Sequence, residues 1–153
     1  MYDKNAAFIG YTIEKTTRYD LFREDKIRPI LYQTILSLYD EGYRTFTCHL
    51  HTYIGLLAAD TIVMMRDAGK CPEIVFSAVT PDTPFPPDTD KLYRALYDDL
   101  AKQADGKEIL SQEDCLKNAL AGSRIVCYYD DFSSEIGQMR ASGIPFTNVR
   151  QMI

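Results

Sequence analysis

Short apolar runs of strand type alternate with helical periodicity along the whole chain, and this alternation constrains the fold most. The run NAAFIGY at residues 5–11 is apolar almost throughout, as expected for a strand buried on both faces of a sheet. Further on, apolar side chains recur at helical spacing as far as Asp40, and Gly42 follows where a helix would end. This alternation predicts an α/β fold, a three-layer α/β/α Rossmann-like sandwich with a mostly parallel sheet.

The same pattern predicts six strands and five helices. Residues 12–25 are polar and predicted to be irregular, and Thr80–Thr89, which holds four of the seven prolines, predicts a stiff loop. Pro29 is expected in the first turn of the first helix. The predicted strands are Asn5–Tyr11, Tyr43–Leu50, Ile74–Val79, Glu108–Leu110, Arg124–Tyr129 and Ile144–Val149, and the predicted helices are Asp25–Asp40, Ile54–Ala68, Asp90–Ala104, Ser111–Ala121 and Ser133–Ser142, the last capped by Ser133 and Gly143.

Size and charge limit the partners that we expect. The 153 residues give room for one domain, and 17 Lys and Arg against 22 Asp and Glu give a formal net charge of -5, which disfavours duplex nucleic acid. No apolar run approaches the roughly 20 residues that span a bilayer, and no signal peptide is evident, so no membrane partner is predicted. Four cysteines without CxxC spacing, Cys48, Cys71, Cys115 and Cys127, predict reduced thiols and a cytoplasmic protein.

Sheets of this kind bind ligands outside the carboxyl ends of their strands, where helix N-termini present free backbone N–H groups. We therefore expect Cys48–Gly55 and Tyr129–Glu135 to lie side by side and to wall one hollow. The predicted ligand-binding residues are Gly10, Tyr11, Thr12, Arg18, Cys48, His49, Tyr53, Thr80, Asp130, Ser133 and Ser134.

Several of these residues suit a phosphorylated aromatic ligand. Arg18 offers the bidentate donors that phosphate prefers, although a surface ion pair is the alternative. Tyr11 and Tyr53 present rings on which a base can stack. The hydroxyls of Ser133 and Ser134, with the N–H groups after them, suit an anion, while helix capping by Ser133 is the simpler interpretation.

Two histidines stand two residues apart at the end of the second predicted strand. With Cys48 or Asp60 nearby, His49 and His51 could hold a metal ion, but no third ligand follows at metal-site spacing. A crevice-lining role, and a structural role for whichever ring faces inward, are the alternatives. We predict no resident metal ion and no cofactor.

Three carboxylates follow the fifth predicted strand: Asp130, Asp131 and Glu135. A pair of them could act as the acid and the nucleophile or base that split a glycosidic bond. Asp130 or Asp131 could instead accept a ribose hydroxyl, and acidic residues here are often simply solvated or oriented by the helix dipole. These residues are therefore weak catalytic candidates.

The tract TFTCHLHTYIGLLAAD at residues 45–60 and the tract YYDDFSSEIGQMRASGIPFTNV at residues 128–149 resemble the bacterial YpsA-like family of the SLOG superfamily. These Rossmann-like domains are related to LOG phosphoribohydrolases and DprA, and the resemblance covers nearly the whole chain through order, spacing and hydrophobic pattern. It implies a nucleotide-derived ligand. Where the family usually has SGxAxGxD, Cys48 stands at the serine and His49 and Tyr53 stand at the glycines, and the PGGxGTxxE motif of catalytic LOG relatives is not found.

The function predicted from these features is binding of a small nucleotide- or nucleoside-derived ligand. One alternative is an N-glycosidic hydrolase or a deoxyribosyltransferase-like enzyme. The other is a non-catalytic, homo-oligomerising or partner-binding module whose ligand site has decayed. Exposed aromatic helix faces at Tyr93 and Tyr97 would favour that last alternative.

Overall fold

A computed structural model describes residues 4–82, 85–86 and 89–153 of the chain. Six parallel strands form one sheet in the order β4-β3-β2-β1-β5-β6, as the α/β prediction requires. The strands are β1 Asn5–Gly10, β2 Thr45–His49, β3 Val75–Pro81, β4 Gly106–Leu110, β5 Arg124–Tyr128 and β6 Phe146–Asn148. The helices are α1 Arg18–Phe22, α2 Glu24–Asp40, α3 Tyr53–Asp67, α4 Lys91–Gln103, α5 Gln112–Leu120 and α6 Ser134–Ser142, with 3-10 turns at Ile13–Lys15 and Val149–Met152.

The central strand β1 shows why the sheet is covered on both faces. Phe8 belongs to a core shared with α2, α3 and α4, whereas Ile9 belongs to a second core shared with α5 and α6. Successive side chains of a strand point to opposite faces, so one apolar run supplies both cores. The result is the predicted three-layer sandwich.

The order of the strands creates a switch point. After β1 the chain moves toward β2, β3 and β4, and then returns to the other side of β1 to form β5 and β6. The crevice of an open α/β sheet lies where the order reverses in this way, at the carboxyl ends of its strands. In this protein that place is between the ends of β1 and β5.

One part of the prediction was wrong. Residues 12–25 are not irregular, because they contain a 3-10 turn and α1. Thr17 and Asp20 form a capping box that starts α1: the Asp20 N–H donates to Thr17 Oγ1 at 3.3 Å and the Thr17 N–H donates to Asp20 Oδ2 at 3.2 Å. Asp20 is buried and accepts a 2.7 Å hydrogen bond from the Tyr128 hydroxyl. This contact fixes the segment after β1 against the end of β5.

Smaller differences concern the ends of elements. Pro29 lies beyond the first turn of α2, because α2 begins at Glu24 directly after α1. At the end of α6, Gly143 has φ +75 and caps the helix as predicted. The predicted Thr80–Thr89 loop includes residues 83–84 and 87–88, which lie outside the described residues, and Thr80 and Pro81 belong to β3.

Candidate functional site

A cavity of about 360 Å³ lies at the switch point. Its walls come from the loops after β1 and β2, from the end of β5, and from one side of α5 and α6. Both segments that were expected to wall one hollow contribute, through His51 and Thr52 and through Tyr129 and Glu135. The lining residues are Ile9, Gly10, Tyr11, Thr12, Lys15, His51, Thr52, Gln112, Glu113, Cys115, Leu116, Lys117, Tyr129, Glu135 and Gln138.

Backbone hydrogen bonds join the loops after β1 and β2. The Ile13 N–H donates to the His51 carbonyl at 3.2 Å, and the Tyr53 N–H donates to the Tyr11 carbonyl at 3.0 Å. Thr12 and Thr52 form an antiparallel bridge between these two contacts. The two loops therefore act as one wall of the cavity, with their backbone groups already paired.

A second wall is built around two tyrosines. The rings of Tyr11 and Tyr129 pack edge to face with their centroids 5.2 Å apart, and the Tyr11 hydroxyl accepts a 2.8 Å hydrogen bond from the Asp130 N–H. Asn148 holds Tyr129 from behind: its side chain accepts from the Tyr129 N–H at 3.0 Å and donates to the Tyr129 carbonyl at 2.8 Å. These contacts fix both rings at the cavity.

The third wall is charged and comes from α5 and α6. Glu113 and Lys117 lie four residues apart on one face of α5, and Glu135 lies on α6. Lys15 completes the set from the 3-10 turn after β1. Two amines and two carboxylates thus surround the opening, although the chain as a whole has a net charge of -5.

The two histidines have different surroundings. His49 is completely buried, and neither of its ring nitrogens has a hydrogen-bond partner among the residues that the structure describes. Its ring centroid lies 6.2 Å from that of His51. Burial, with a smaller contribution from His51, lowers the pKa of His49 to about 3. Burial also lowers the pKa of His51, while the Glu14 carboxylate raises it. Both rings are therefore neutral near pH 7.

His51 is the histidine that lines the cavity. It is 6% exposed, and its Nδ1 is buried without a hydrogen-bond partner among the described residues. The nearby Thr12 Oγ1 also lacks a partner within the part of the chain that the structure describes. Buried polar atoms without a partner are uncommon in native proteins, and these two belong to residues that line the same cavity.

Of the predicted ligand-binding residues, Gly10, Tyr11 and Thr12 line the cavity. Packing alone also explains why residue 10 is a glycine. A Cβ at this position would lie 2.8 Å from Ile54 Cγ2 and 2.9 Å from the Tyr128 carbonyl oxygen. Close packing of α3 on β1 therefore demands glycine at this position, whatever the ligand.

Four other predicted residues lie in the buried interior. Cys48 and His49 are on β2, Thr80 is on β3 and Tyr53 begins α3, and the cavity lining includes none of them. The Tyr53 hydroxyl donates to Glu24 at 2.8 Å, and burial followed by this hydrogen bond raises its pKa. Tyr53 therefore ties α3 to α2, and its ring is not a platform open to a ligand.

The polar turn after β5 is occupied with local contacts. The Ile136 N–H donates to the Ser133 side chain at 3.3 Å, so Ser133 is the N-cap of α6. Ser134 is exposed and donates to Glu135, and Phe132 is 97% exposed. Neither serine lines the cavity, and the exposed Arg18, at the start of α1, does not line it either.

Of the three candidate catalytic carboxylates, one lines the cavity and two have partners elsewhere. Glu135 lines the cavity, whereas Asp130 lies 3.9 Å from the Arg150 guanidinium and Asp131 accepts a hydrogen bond from Gln151. Sequence reasoning missed Glu113, the other carboxylate of the cavity, together with Lys15 and Lys117. The helical spacing of α5 identifies its faces, but it does not say which face meets the end of β1.

Among the described residues, no group of three or more His, Cys, Asp or Glu side chains could hold a metal ion. All four cysteines are free and buried, as predicted. Cys115 lies on the cavity wall, and burial, together with Asp114, Asp82 and Glu108, raises the pKa of its thiol to about 11. It is therefore a protonated, weakly nucleophilic thiol near neutral pH.

The aromatic residues of α4, Tyr93 and Tyr97, are partly buried and pack against other rings. Tyr93 meets the ring of Tyr53 with centroids 6.3 Å apart, and Tyr97 meets Phe85 at 4.7 Å, both edge to face. The exposed aromatic helix face that would favour a partner-binding module is therefore not found at these two positions.

Comparisons with known proteins leave the family open. No protein-family model matches the chain, and no curated protein is significantly similar to it. Among the described residues, none of the helices combines the length and the apolar character needed to cross a membrane. The YpsA-like resemblance thus stays a prediction.

Proposed function

We propose that this protein binds a small nucleotide- or nucleoside-derived ligand in the cavity at the switch point. The observation that carries the proposal is the meeting, at that point of a parallel sheet, of a fixed pair of tyrosines with the unpartnered polar atoms of His51 and Thr12. The resemblance to the YpsA-like family of the SLOG superfamily supports the same class of ligand. Buried free thiols favour the cytoplasm as its compartment.

The chemistry of the walls suits each part of such a ligand. Tyr11 and Tyr129 offer aromatic surface to a base, and the carboxylates of Glu113 and Glu135 can accept hydrogen bonds from sugar hydroxyls. Lysine amines bind phosphate as point charges. The volume of about 360 Å³ lies near the lower end of the usual range for ligand sites, so a mononucleotide is favoured over a dinucleotide.

A blocked cavity provides the test. Gln138 lines the cavity and is exposed on α6, so Gln138→Trp should fill the opening without disturbing the core. Ala141→Trp places the same side chain at an exposed position of α6 that does not line the cavity, and it serves as the matched control. Thermal unfolding is measured for each protein with nucleosides and nucleoside monophosphates.

We expect ligand to raise the unfolding temperature of the wild-type protein and of Ala141→Trp, because a ligand that binds only the folded state stabilises it. Gln138→Trp should respond weakly or not at all. No shift with any nucleoside or nucleotide would overturn the proposal. An equal shift in all three proteins would place the ligand somewhere else.

A second candidate function is hydrolysis of an N-glycosidic bond. It is favoured by one observation, that Glu113 and Glu135 line the same cavity and could serve as the two carboxylates of such a reaction. Incubation with nucleoside monophosphates should then release free base, and Glu135→Gln should abolish the release. Base release that Glu135→Gln leaves unchanged would exclude this role for Glu135.

A further inference from the structure

The cavity changes character from its inner wall to its opening. The inner wall contains buried side chains that carry no charge near pH 7, among them Ile9, His51, Cys115 and Tyr129. The opening is formed by polar and charged side chains, which are the exposed Lys15, Gln112, Glu113, Lys117 and Gln138 and the half-buried Glu135. The two ends of a bound ligand would therefore meet very different surroundings.

A phosphate group does not suit the inner wall. Moving a charged group out of water is costly unless an opposite charge or several hydrogen bonds compensate for it. His51 is held neutral by its burial, and Thr12 offers only a hydroxyl. An uncharged group with its own donors and acceptors, such as the edge of a nucleobase, can instead pair with these neutral side chains at little electrostatic cost.

The two amines at the opening are available for an anion. Within residues 4–82, 85–86 and 89–153, neither Lys15 nor Lys117 has a carboxylate within ion-pair distance, and neither amine donates a hydrogen bond. The alternative phosphate position, the N-terminus of α6, follows Asp130 and Asp131, its Ile136 N–H is already bonded to Ser133, and neither Ser133 nor Ser134 lines the cavity. Glu113 and Glu135 share the opening with the lysines, so the positions that favour a phosphate are the two amines themselves, which no carboxylate pairs within the described residues.

We infer that the ligand binds with its base inward against His51 and Thr12 and with its phosphate outward at Lys15 and Lys117, so that the preferred class is a nucleoside monophosphate. This inference rests on the proposed function and adds the orientation of the ligand to it. It also assigns the phosphate to two lysines and not to the helix N-terminus that the serines of the β5–α6 turn would suggest.

The experiment compares each nucleoside with its 5′-monophosphate, using adenosine, guanosine, cytidine and uridine as probes in calorimetric titrations. The double variant Lys15→Ala, Lys117→Ala should weaken binding of the monophosphate by about tenfold, as expected for losing contacts to a charged group, and leave the nucleoside unchanged. His51→Gln should weaken both members of a pair by the same factor. Thr12→Val, which keeps the shape of the side chain, should do likewise in case His51→Gln unfolds.

Ser134→Ala is the matched control, because Ser134 is exposed at the N-terminus of α6 and does not line the cavity. It should leave both affinities unchanged. Contacts between base protons and the His51 ring in nuclear Overhauser spectra should accompany binding.

Three outcomes separate the two proposals. If no probe binds, the proposed function fails and the orientation fails with it. If probes bind but the lysine variant weakens nucleoside and monophosphate equally, only the orientation is wrong. A loss of monophosphate binding in Ser134→Ala, with none in the lysine variant, would move the phosphate to the N-terminus of α6.

Discussion

The β2–α3 junction and the β5–α6 junction occupy equivalent places in two strand–helix units. The polar side chains of the first are buried, whereas those of the second are exposed or half-buried. Residues 46–59 are all buried, so the first junction turns its histidines and its capping threonine inward. In the second junction Asp131, Phe132 and Ser134 are exposed and water can satisfy them. The sequence of the second junction is the richer in polar residues, yet each junction supplies two residues to the cavity, His51 and Thr52 from the first and Tyr129 and Glu135 from the second.

This difference shows that polar composition does not by itself locate a site. A polar residue in an exposed turn can satisfy itself through a cap or through water, as Ser133 does. A polar residue in a buried turn must find a partner inside the protein or remain unpaired, as ring nitrogens of His49 and His51 do within the described part of the chain. The unpaired atoms of the buried junction are therefore the more informative ones.

The largest difference in the free energy of unfolding between the two junctions is expected for glycine substitutions. A Cβ at Gly55, near the start of α3, would lie 2.1 Å from the His49 carbonyl oxygen and 2.7 Å from Thr52 Oγ1, so the backbone itself must move. We expect Gly55→Ala to lower the free energy of unfolding by about 3 kcal/mol. Gly137→Ala, near the start of α6, meets nothing within 4 Å and should raise it by up to about 1 kcal/mol. Urea unfolding measures both, and similar losses in the two variants would contradict the comparison.

Removing a helix cap should also destabilise the protein more at the β2–α3 junction than at the β5–α6 junction, but with smaller losses. Thr52 is 1% exposed, accepts from the Gly55 N–H at 3.1 Å and donates to the His49 carbonyl at 2.8 Å. Thr52→Ala removes both contacts in a buried place, and we expect a loss of about 2 kcal/mol in the free energy of unfolding. Ser133→Ala removes one half-exposed cap and should cost about 1 kcal/mol or less. Chemical unfolding of the pair tests this, and a larger loss for Ser133→Ala would reverse the expected order.

The fold could be predicted because its signals are local. Apolar runs such as residues 5–11 and helix ends such as Gly143 encode strands and stops without reference to the rest of the chain. The segment at residues 12–25 was misjudged because α1 is only five residues long and depends on a distant contact, between Asp20 and Tyr128. A helix this short has little stability of its own.

The site was harder to predict, because it depends on which helix face meets which strand end. Tyr11 and Thr12 could be found from their place after β1, but Glu113 and Lys117 could not, since they belong to α5 and reach the cavity only through packing. His49 was predicted to line the crevice from its place at a strand end, and Tyr53 from the ring that it could offer to a base. Both are buried by contacts with other parts of the chain, His49 within the sheet and Tyr53 between α3 and α2, which their own segment does not reveal.

The buried His49 should make folding depend on pH. The pKa of His49 is about 3 in the folded protein and ordinarily near 6.5. Between these values the unfolded chain binds a proton at His49 and the folded protein does not. Stability should therefore fall as the pH drops from about 6.5 toward 3, by up to about 1.4 kcal/mol per pH unit from this residue. Urea unfolding between pH 7 and pH 5 avoids the more acidic range, in which the lowered pKa of Asp20 adds its own loss of stability.

His49→Leu removes both the titrating group and two unpartnered nitrogens. At pH 7 we expect it to raise the free energy of unfolding by about 1 kcal/mol, because an unsatisfied buried polar group is replaced by an apolar one. The dependence on pH should become shallower but should not vanish, since the pKa of His51 is also lowered. An unchanged slope would mean that His49 is paired, or reached by water, in solution.

The smallest effect is expected at Phe132, at the outer end of the β5–α6 junction. Its ring is 97% exposed, so Phe132→Ser removes almost no buried surface and should change the free energy of unfolding by less than about 0.5 kcal/mol. The same variant tests the partner-binding alternative, because an exposed aromatic ring is the kind of group that anchors an interface. If the cavity and not this turn carries the function, sedimentation of the wild-type protein and of Phe132→Ser should be identical, and ligand affinity should be unchanged. A wild-type oligomer that dissociates in the variant would instead show that the exposed β5–α6 junction is an interface between copies of the chain.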